Sequence, residues 1–108
     1  MTEGRKDDDG KPDMALLDPY AIEQLALVLT FGKRKYAAWN WAGGISYSRL
    51  LAALLRHTFA FLRGQDRDDE SGLPHIAHAM CCCMFLLGMS QLHPELDDRY
   101  KARDAIHQ

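Results

Sequence analysis

This chain has no long apolar run, no excess of basic over acidic residues and no spaced cysteines. No uninterrupted apolar run approaches the roughly 20 residues that a membrane-spanning helix needs, so no membrane partner is expected. Lysine and arginine total 13 against 15 aspartates and glutamates, a formal net charge of −2. Because nucleic-acid-binding proteins usually carry a basic excess, no nucleic-acid partner is expected. The opening segment MTEGRKDDDGKPD also lacks the apolar core of a secretion signal.

The three cysteines are consecutive, at positions 81 to 83. Neighbouring residues of a helix point about 100° apart, so these thiols do not form a metal clamp of the CxxC type. An odd number of clustered cysteines within an apolar run is typical of buried, reduced thiols that act as small hydrophobic side chains. We therefore expect a cytoplasmic protein.

The common catalytic signatures are missing as well. The chain has no glycine-rich phosphate loop of P-loop spacing, no GxSxG and no HExxH. No nucleophile has an evident base beside it, so a covalent mechanism is unsupported. No alternating apolar and polar run is present either, which disfavours β-strands.

The apolar pattern predicts three helices and an all-α fold. Asp18 is expected to cap a first helix that starts at Pro19 and runs to about Lys35. Its apolar stripe is predicted at Ile22, Leu25, Ala26 and Leu29. Ser46 is expected to cap a second helix over about residues 47–63, which Gly64 ends.

A third helix is predicted from about Pro74 to Gln91, and it is apolar almost all round past its first turn. Such a helix is buried on several sides. We expect a small helical bundle built on a central antiparallel helix pair and completed by oligomerisation, because a domain of this size buries a core but leaves much of its surface exposed, and self-association adds burial. The predicted division is a flexible arm over residues 1–13, a helical domain over 14–93 and a polar helix or tail over 94–108.

Histidines and acidic residues concentrate in RHTFAFLRGQDRDDESGLPHIAH, residues 56–78. His75 and His78 are three residues apart and share a helical face, and an antiparallel pair brings His57 towards them. The loop between the helices adds Asp66, Asp68, Asp69 and Glu70. Histidine with carboxylate suits Mn²⁺, Fe²⁺ or Zn²⁺, and carboxylate with water suits Mg²⁺.

A structural explanation fits the same spacing. His57 and His75 can be partly buried polar residues bonded to loop backbone, with the aspartates solvated. Asp69 and Glu70 also stand where negative charge stabilises a helix N-terminus without any function.

A second group of interest follows the first helix and combines cations with aromatic residues: Lys33, Arg34, Lys35, Tyr36, Asn40 and Trp41. Cations can hold a triphosphate, an aromatic ring can stack on a base, and an amide can read a base edge. The alternative is a basic helix end followed by aromatic core anchors. Arg49 and Arg56 lie seven residues apart on roughly one face of the second helix, where either can meet the acidic loop or a phosphate.

The series KPDMALLDP, LTFGKRKY, NW, SRLLAALLRH and DESGLPHIAHA, over about residues 11–87, resembles the phage-borne dATP/dGTP diphosphohydrolase N-terminal domain. That family is linked to the MazG-like helical nucleotide pyrophosphohydrolases. The resemblance implies a metal-dependent hydrolysis of a purine deoxynucleoside triphosphate to the monophosphate and pyrophosphate. It also implies a helical homo-oligomer in the cytoplasm of an infected bacterium.

Under that reading the candidate residues take specific roles. The predicted metal ligands are His57, Asp68, Glu70, His75 and His78, for Mg²⁺ or Mn²⁺ with Zn²⁺ or Fe²⁺ as alternatives. Asp66 and Asp69 are the candidates for accepting a proton from the attacking water. The predicted substrate-binding residues are Lys33, Lys35, Tyr36, Asn40, Trp41, Arg49 and Arg56.

The alternative hypothesis to a hydrolase is a non-catalytic nucleotide- or metal-binding helical module, or a subunit of a phage assembly. MazG-like enzymes carry ExxE on one helix and ExxD on the next. This chain has neither motif, and its second helix has no carboxylate. The two readings differ on His57→Ala and Glu70→Ala, which should abolish turnover in an enzyme but weaken folding or assembly in a structural module.

Overall fold

The computed structural model describes residues 3–101, and within that range the regular structure is entirely helical. The three helices are α1 (Pro19–Lys35), α2 (Tyr47–Leu62) and α3 (His75–Leu92). Short 3-10 turns lie at Met14–Leu16, Asn40–Gly43 and Pro94–Leu96. The all-α prediction is confirmed, with helix bounds within one residue of those expected.

The first helix begins where its sequence predicts, but the face that it buries only partly matches the predicted apolar stripe. The Asp18 side chain accepts a hydrogen bond from the Tyr20 amide at 3.3 Å, and Pro19 fills the first helical position. Val28 is the buried residue of α1, whereas Ile22 is 39% exposed. The partly or fully buried residues of α1 are Ala21, Gln24, Leu25, Val28, Leu29, Phe31 and Gly32. The predicted stripe is therefore right at Leu25 and Leu29 but wrong at Ile22 and Ala26, which are exposed, and it misses Val28.

The second and third helices form the predicted antiparallel pair. Leu50 near the start of α2 packs with Met89 near the end of α3, while His57 meets His75 at the opposite end. Ser46 precedes α2 as expected but makes no capping hydrogen bond with its side chain.

The third helix is the centre of the bundle because it packs against both α1 and α2. Val28 of α1 contacts Ala77 and Cys81 in one cluster. Cys81 and Cys82 are buried free thiols, but Cys83 is exposed, contrary to the expectation that all three are buried. Burial raises the pKa of the Cys81 thiol to about 12, so it stays protonated.

By length and composition alone, α3 is apolar enough to cross a bilayer, and no other helix within residues 3–101 is. A core helix of a soluble protein passes the same test, and a third of its residues are buried inside this chain. The absence of a membrane partner stays a prediction.

The first and last segments of the described range contain no α-helix. Residues 3–13 are exposed and contain no helix or strand. After the turn at Pro94–Leu96 the chain runs without regular structure to residue 101, and the Asp98 carboxylate accepts hydrogen bonds from the Ser48 amide (2.8 Å) and hydroxyl (2.5 Å). The remaining part of the predicted C-terminal helix or tail lies outside the described residues.

Candidate functional site

The acidic loop between α2 and α3 is a closed turn that its own backbone holds together. The Asp68 amide donates to the Leu73 carbonyl and the Gly72 amide donates to the Asp68 carbonyl, both at 2.8 Å. The His75 amide donates to the Asp66 carbonyl at 2.8 Å. The loop therefore presents Asp68 at the first turn of α3.

Three of the predicted metal ligands converge at this end of the helix pair. His57, Asp68 and His75 each place one potential ligand atom within 4.8 Å of the other two. The Nδ1 atoms of His57 and His75 are 2.8 Å apart. The other ring nitrogen of His75, Nε2, is buried without a hydrogen-bond partner. A buried polar atom of this kind calls for an explanation, and a ligand is one.

His78 lies beside this group and is tied to the loop through Ser71. Its ring stacks on the His57 ring with centroids 4.6 Å apart, and its Nε2 is 2.7 Å from the Ser71 hydroxyl. The same hydroxyl and the Ser71 amide each donate to Asp68 Oδ2 at 2.9 Å. Ser71 thus fixes both Asp68 and His78, a role that sequence spacing gave no reason to assign.

The protonation states of the group suit a cation. Burial lowers the pKa of His57, as do the neighbouring His78 and His75 rings. Burial also lowers the pKa of His78, against the attraction of Asp68. Burial pushes the pKa of Asp68 upward, but the hydrogen bonds from Ser71 and the adjacent histidines outweigh it, so the pKa is lowered. These shifts favour a carboxylate at Asp68 and neutral imidazoles at His57 and His78, the forms that bind metals.

A cleft of about 1030 Å³ opens beside this group, between α1, the segment that follows α1, α2 and α3. Ten of the predicted site residues line it: Lys33, Lys35, Tyr36, Asn40, Trp41, Arg56, His57, Asp68, Glu70 and His78. The fold therefore brings the basic and aromatic group and the histidine and acidic group to one cavity, although about 30 residues separate them in sequence.

Four predicted site residues are placed elsewhere. Asp66, Asp69 and Arg49 are exposed and do not line the cleft. Asp69 instead accepts a hydrogen bond from the Gln65 side chain at 3.2 Å. His75 is buried behind the cleft wall, where it contacts His57.

One ion pair joins the two sides of the cleft. Lys35 Nζ at the end of α1 lies 2.6 Å from Glu70 Oε1 in the acidic loop. This contact raises the pKa of Lys35 and keeps it a cation. Arg56 is exposed and makes no salt bridge with any residue in the range 3–101, so its guanidinium remains open to an anion in the cleft.

The two tryptophans of the chain have different environments. Trp41 stacks on Phe85 with ring centroids 5.0 Å apart and packs against the Gly88 backbone, so it is an anchor of the core. Trp39 is 71% exposed at the same cleft. The sequence analysis assigned base binding to Trp41, although no pattern in the sequence separates the two tryptophans.

Residues 1–99 match the family described as dATP/dGTP diphosphohydrolase, N-terminal. The chain belongs to this family. It is 42% identical over 96 residues to a protein of Salmonella phage PMBT28 named dATP/dGTP diphosphohydrolase. That alignment covers 89% of this chain and 33% of the phage protein, so the chain spans about a third of that relative. No solved structure matches significantly. The resemblance identified from sequence is confirmed.

Proposed function

We propose that this chain is the nucleotide-binding and catalytic part of a metal-dependent pyrophosphohydrolase that converts a purine deoxynucleoside triphosphate to its monophosphate and pyrophosphate. One observation carries the proposal: His57 and Asp68 line the same cleft as Lys33 and Lys35, and they converge with His75, which is buried behind the cleft wall. The name of the phage relative supports the substrate class.

The donor set fits a divalent ion. Imidazole nitrogens that share one ion at about 2.0–2.1 Å each lie about 3 Å apart, close to the 2.8 Å between the Nδ1 atoms of His57 and His75. A hydrogen bond between the two rings gives the same distance, and either arrangement leaves the buried His75 Nε2 without a partner. Two imidazoles and a carboxylate favour Mn²⁺ over Mg²⁺ among the ions expected.

The chain's own residues would bind and orient the substrate. Lys33, Lys35 and Arg56 supply three cations for the phosphate oxygens. A bound divalent ion would add charge neutralisation and lower the pKa of a coordinated water. Glu70 lines the cleft, whereas Asp66 and Asp69 do not, so Glu70 Oε2, which is not the oxygen paired with Lys35, is the better placed acceptor for the water's proton.

The second candidate is a non-catalytic nucleotide- or metal-binding module, or a subunit of a phage assembly. The absence of a carboxylate from α2 and the chain's span of a third of its relative favour it. In that case His57, His75 and His78 would join α2 to α3, and the chain would bind a nucleotide or a metal ion without turnover.

The deciding experiment measures pyrophosphate release from each common NTP and dNTP, with Mg²⁺ and then Mn²⁺, on metal-stripped protein. We expect turnover of dATP and dGTP that requires the ion. Asp68→Asn should lower turnover by more than the roughly 10- to 100-fold loss that is typical when a residue that orients a metal ligand is replaced. Glu23→Gln, which changes an exposed carboxylate of α1 outside the cleft, is the control.

Binding of the ion, followed by calorimetry, distinguishes the two candidates. An enzyme loses both metal affinity and turnover in Asp68→Asn while its far-ultraviolet circular dichroism is retained. Folded wild-type protein that binds the ion and dATP without releasing pyrophosphate would support the binding module. If it binds neither, both candidates are wrong.

A further inference from the structure

We propose that Trp39 is the platform on which the base of the nucleotide stacks, and that its indole gives this site its preference for purines. The inference rests on the proposed function, since it places the base within the same cleft. It replaces Trp41, the tryptophan expected from sequence to contact the base.

Trp39 combines exposure with an unfavourable backbone conformation. Its side chain is 71% exposed, and its φ of 63° and ψ of 17° lie in the left-handed region. Among the residues from 3 to 101 it is the only non-glycine residue with positive φ. Bulky residues rarely adopt this conformation, and neither solubility nor backbone geometry favours tryptophan here. Strain of this kind often accompanies function.

The segment that carries Trp39 is anchored directly after it, at Trp41 and Ala42, and this supports its conformation. Trp41 stacks on Phe85, and a Cβ on Gly88 would lie 2.5 Å from the Trp41 ring, so the ring sits directly against the α3 backbone. His93 Nε2 lies 3.0 Å from the Ala42 carbonyl oxygen. The exposed indole is therefore presented by a fixed support.

The position of Trp39 in the cleft is suited to contact with the base of a nucleotide and not with its phosphates. Lys33 and Lys35 end α1, and Trp39 follows four residues after Lys35, so cations and an open aromatic ring line the same cavity. The centroids of the Trp41 and Trp39 rings are 5.8 Å apart and the rings are tilted by 39°, and this contact leaves the Trp39 indole largely exposed. Aromatic side chains stack on bases, and the larger purine ring gives the larger contact.

The test compares nucleotide and tripolyphosphate binding, with Mg²⁺, in wild type, Trp39→Phe and Trp39→Asn. Asparagine tolerates the left-handed conformation but has no ring, while phenylalanine keeps a ring of smaller area. We expect dATP and dGTP to quench the tryptophan fluorescence of wild type and tripolyphosphate not to. Trp39→Asn should weaken dATP binding by about 10- to 100-fold, with Trp39→Phe between it and wild type, and should leave tripolyphosphate affinity unchanged.

Each contrary outcome has its own meaning. If wild type binds dATP and Trp39→Asn binds it equally well, the inference is wrong while the proposed function stands. If Trp39→Asn loses affinity for dATP and tripolyphosphate alike, Trp39 supports the fold instead of the base. If folded wild type binds neither compound, the inference and the proposed function are both overturned.

Discussion

At the scale of single residues, the hydrogen bonds of Ser71 determine which ring nitrogen of His78 carries the proton. Its hydroxyl donates to Asp68 Oδ2 at 2.9 Å and accepts from the Leu73 amide at 3.2 Å. A hydroxyl has one proton to donate, so the 2.7 Å contact with His78 Nε2 requires that His78 donates. The Nε2 atom of His78 therefore carries the proton, and its Nδ1 is left as the acceptor.

Replacing Ser71 by alanine tests this network. The change removes hydrogen bonds from two partly buried groups, and such losses cost about 1–3 kcal/mol of unfolding free energy. If Asp68 binds the metal, metal affinity should also fall about 10- to 100-fold, because a ligand loses the partner that orients it. Urea unfolding and calorimetric titration with Mn²⁺ measure the two effects.

Ser90→Ala is the matched control, because the Ser90 hydroxyl donates only to the Leu87 carbonyl of its own helix, in an exposed position. It should change unfolding free energy by no more than about 0.5 kcal/mol and leave metal affinity unaltered. Equal effects of the two substitutions would contradict the assigned role of Ser71.

At the scale of elements, helix ends were predictable from sequence and helix faces were less so. The ends depend on local chemistry, such as the Asp18 carboxylate at the start of α1 and the positive φ of 97° at Gly64 after α2. The face of α1 was only partly right because every residue from Leu25 to Leu29 is apolar, so two adjacent stripes satisfy helical periodicity equally. Only packing against α3 selects the stripe that contains Val28.

The same distinction applies to the site. The meeting of His57 with His75 and His78 followed from helix spacing and an antiparallel pair, which sequence patterns specify. The roles of Ser71 and Trp39 depend on the closure of the acidic loop and on the direction of the turn at Asn40–Gly43. Those conformations come from backbone hydrogen bonds and from the docking of Trp41, which no periodic pattern encodes.

The docking of the Trp41 segment on α3 makes a second stability prediction. A Cβ at Gly88 would lie 2.5 Å from the Trp41 ring and requires the ring to move. Gly88→Ala should lower the free energy of unfolding by about 1–3 kcal/mol, the usual cost of overpacking, and shift the fluorescence of the tryptophans. Chemical unfolding followed by circular dichroism and by tryptophan fluorescence measures the change in unfolding free energy.

Gly32→Ala is the comparison for this substitution. Gly32 is also a helical glycine, in α1, but an added Cβ there meets no atom within 4 Å. Alanine should therefore stabilise the protein by about 0.4–1 kcal/mol through helix propensity and the unfolded state. A stabilising effect of Gly88→Ala would show that Trp41 does not rest against α3.

At the scale of the whole molecule, the chain leaves much apolar surface uncovered. Leu55, Phe59 and Leu62 of α2 are 50%, 48% and 77% exposed. They are spaced at i, i+4 and i+7, so they form one apolar stripe on the side of α2 that faces away from α3. Apolar stripes of this kind mark helix partners more often than they face water.

We propose that a second copy of the chain covers this stripe, as the predicted homo-oligomer requires. Sedimentation should show wild type as a dimer or a larger assembly, because pairing two such stripes buries apolar area on both copies. Replacing Leu55 and Phe59 together by glutamate should give a folded monomer, since two carboxylates would be buried without partners. Leu16→Glu puts the same charge on a leucine that is 83% exposed outside α2, and it should leave the assembly intact. A wild-type monomer would show that no second copy covers the stripe.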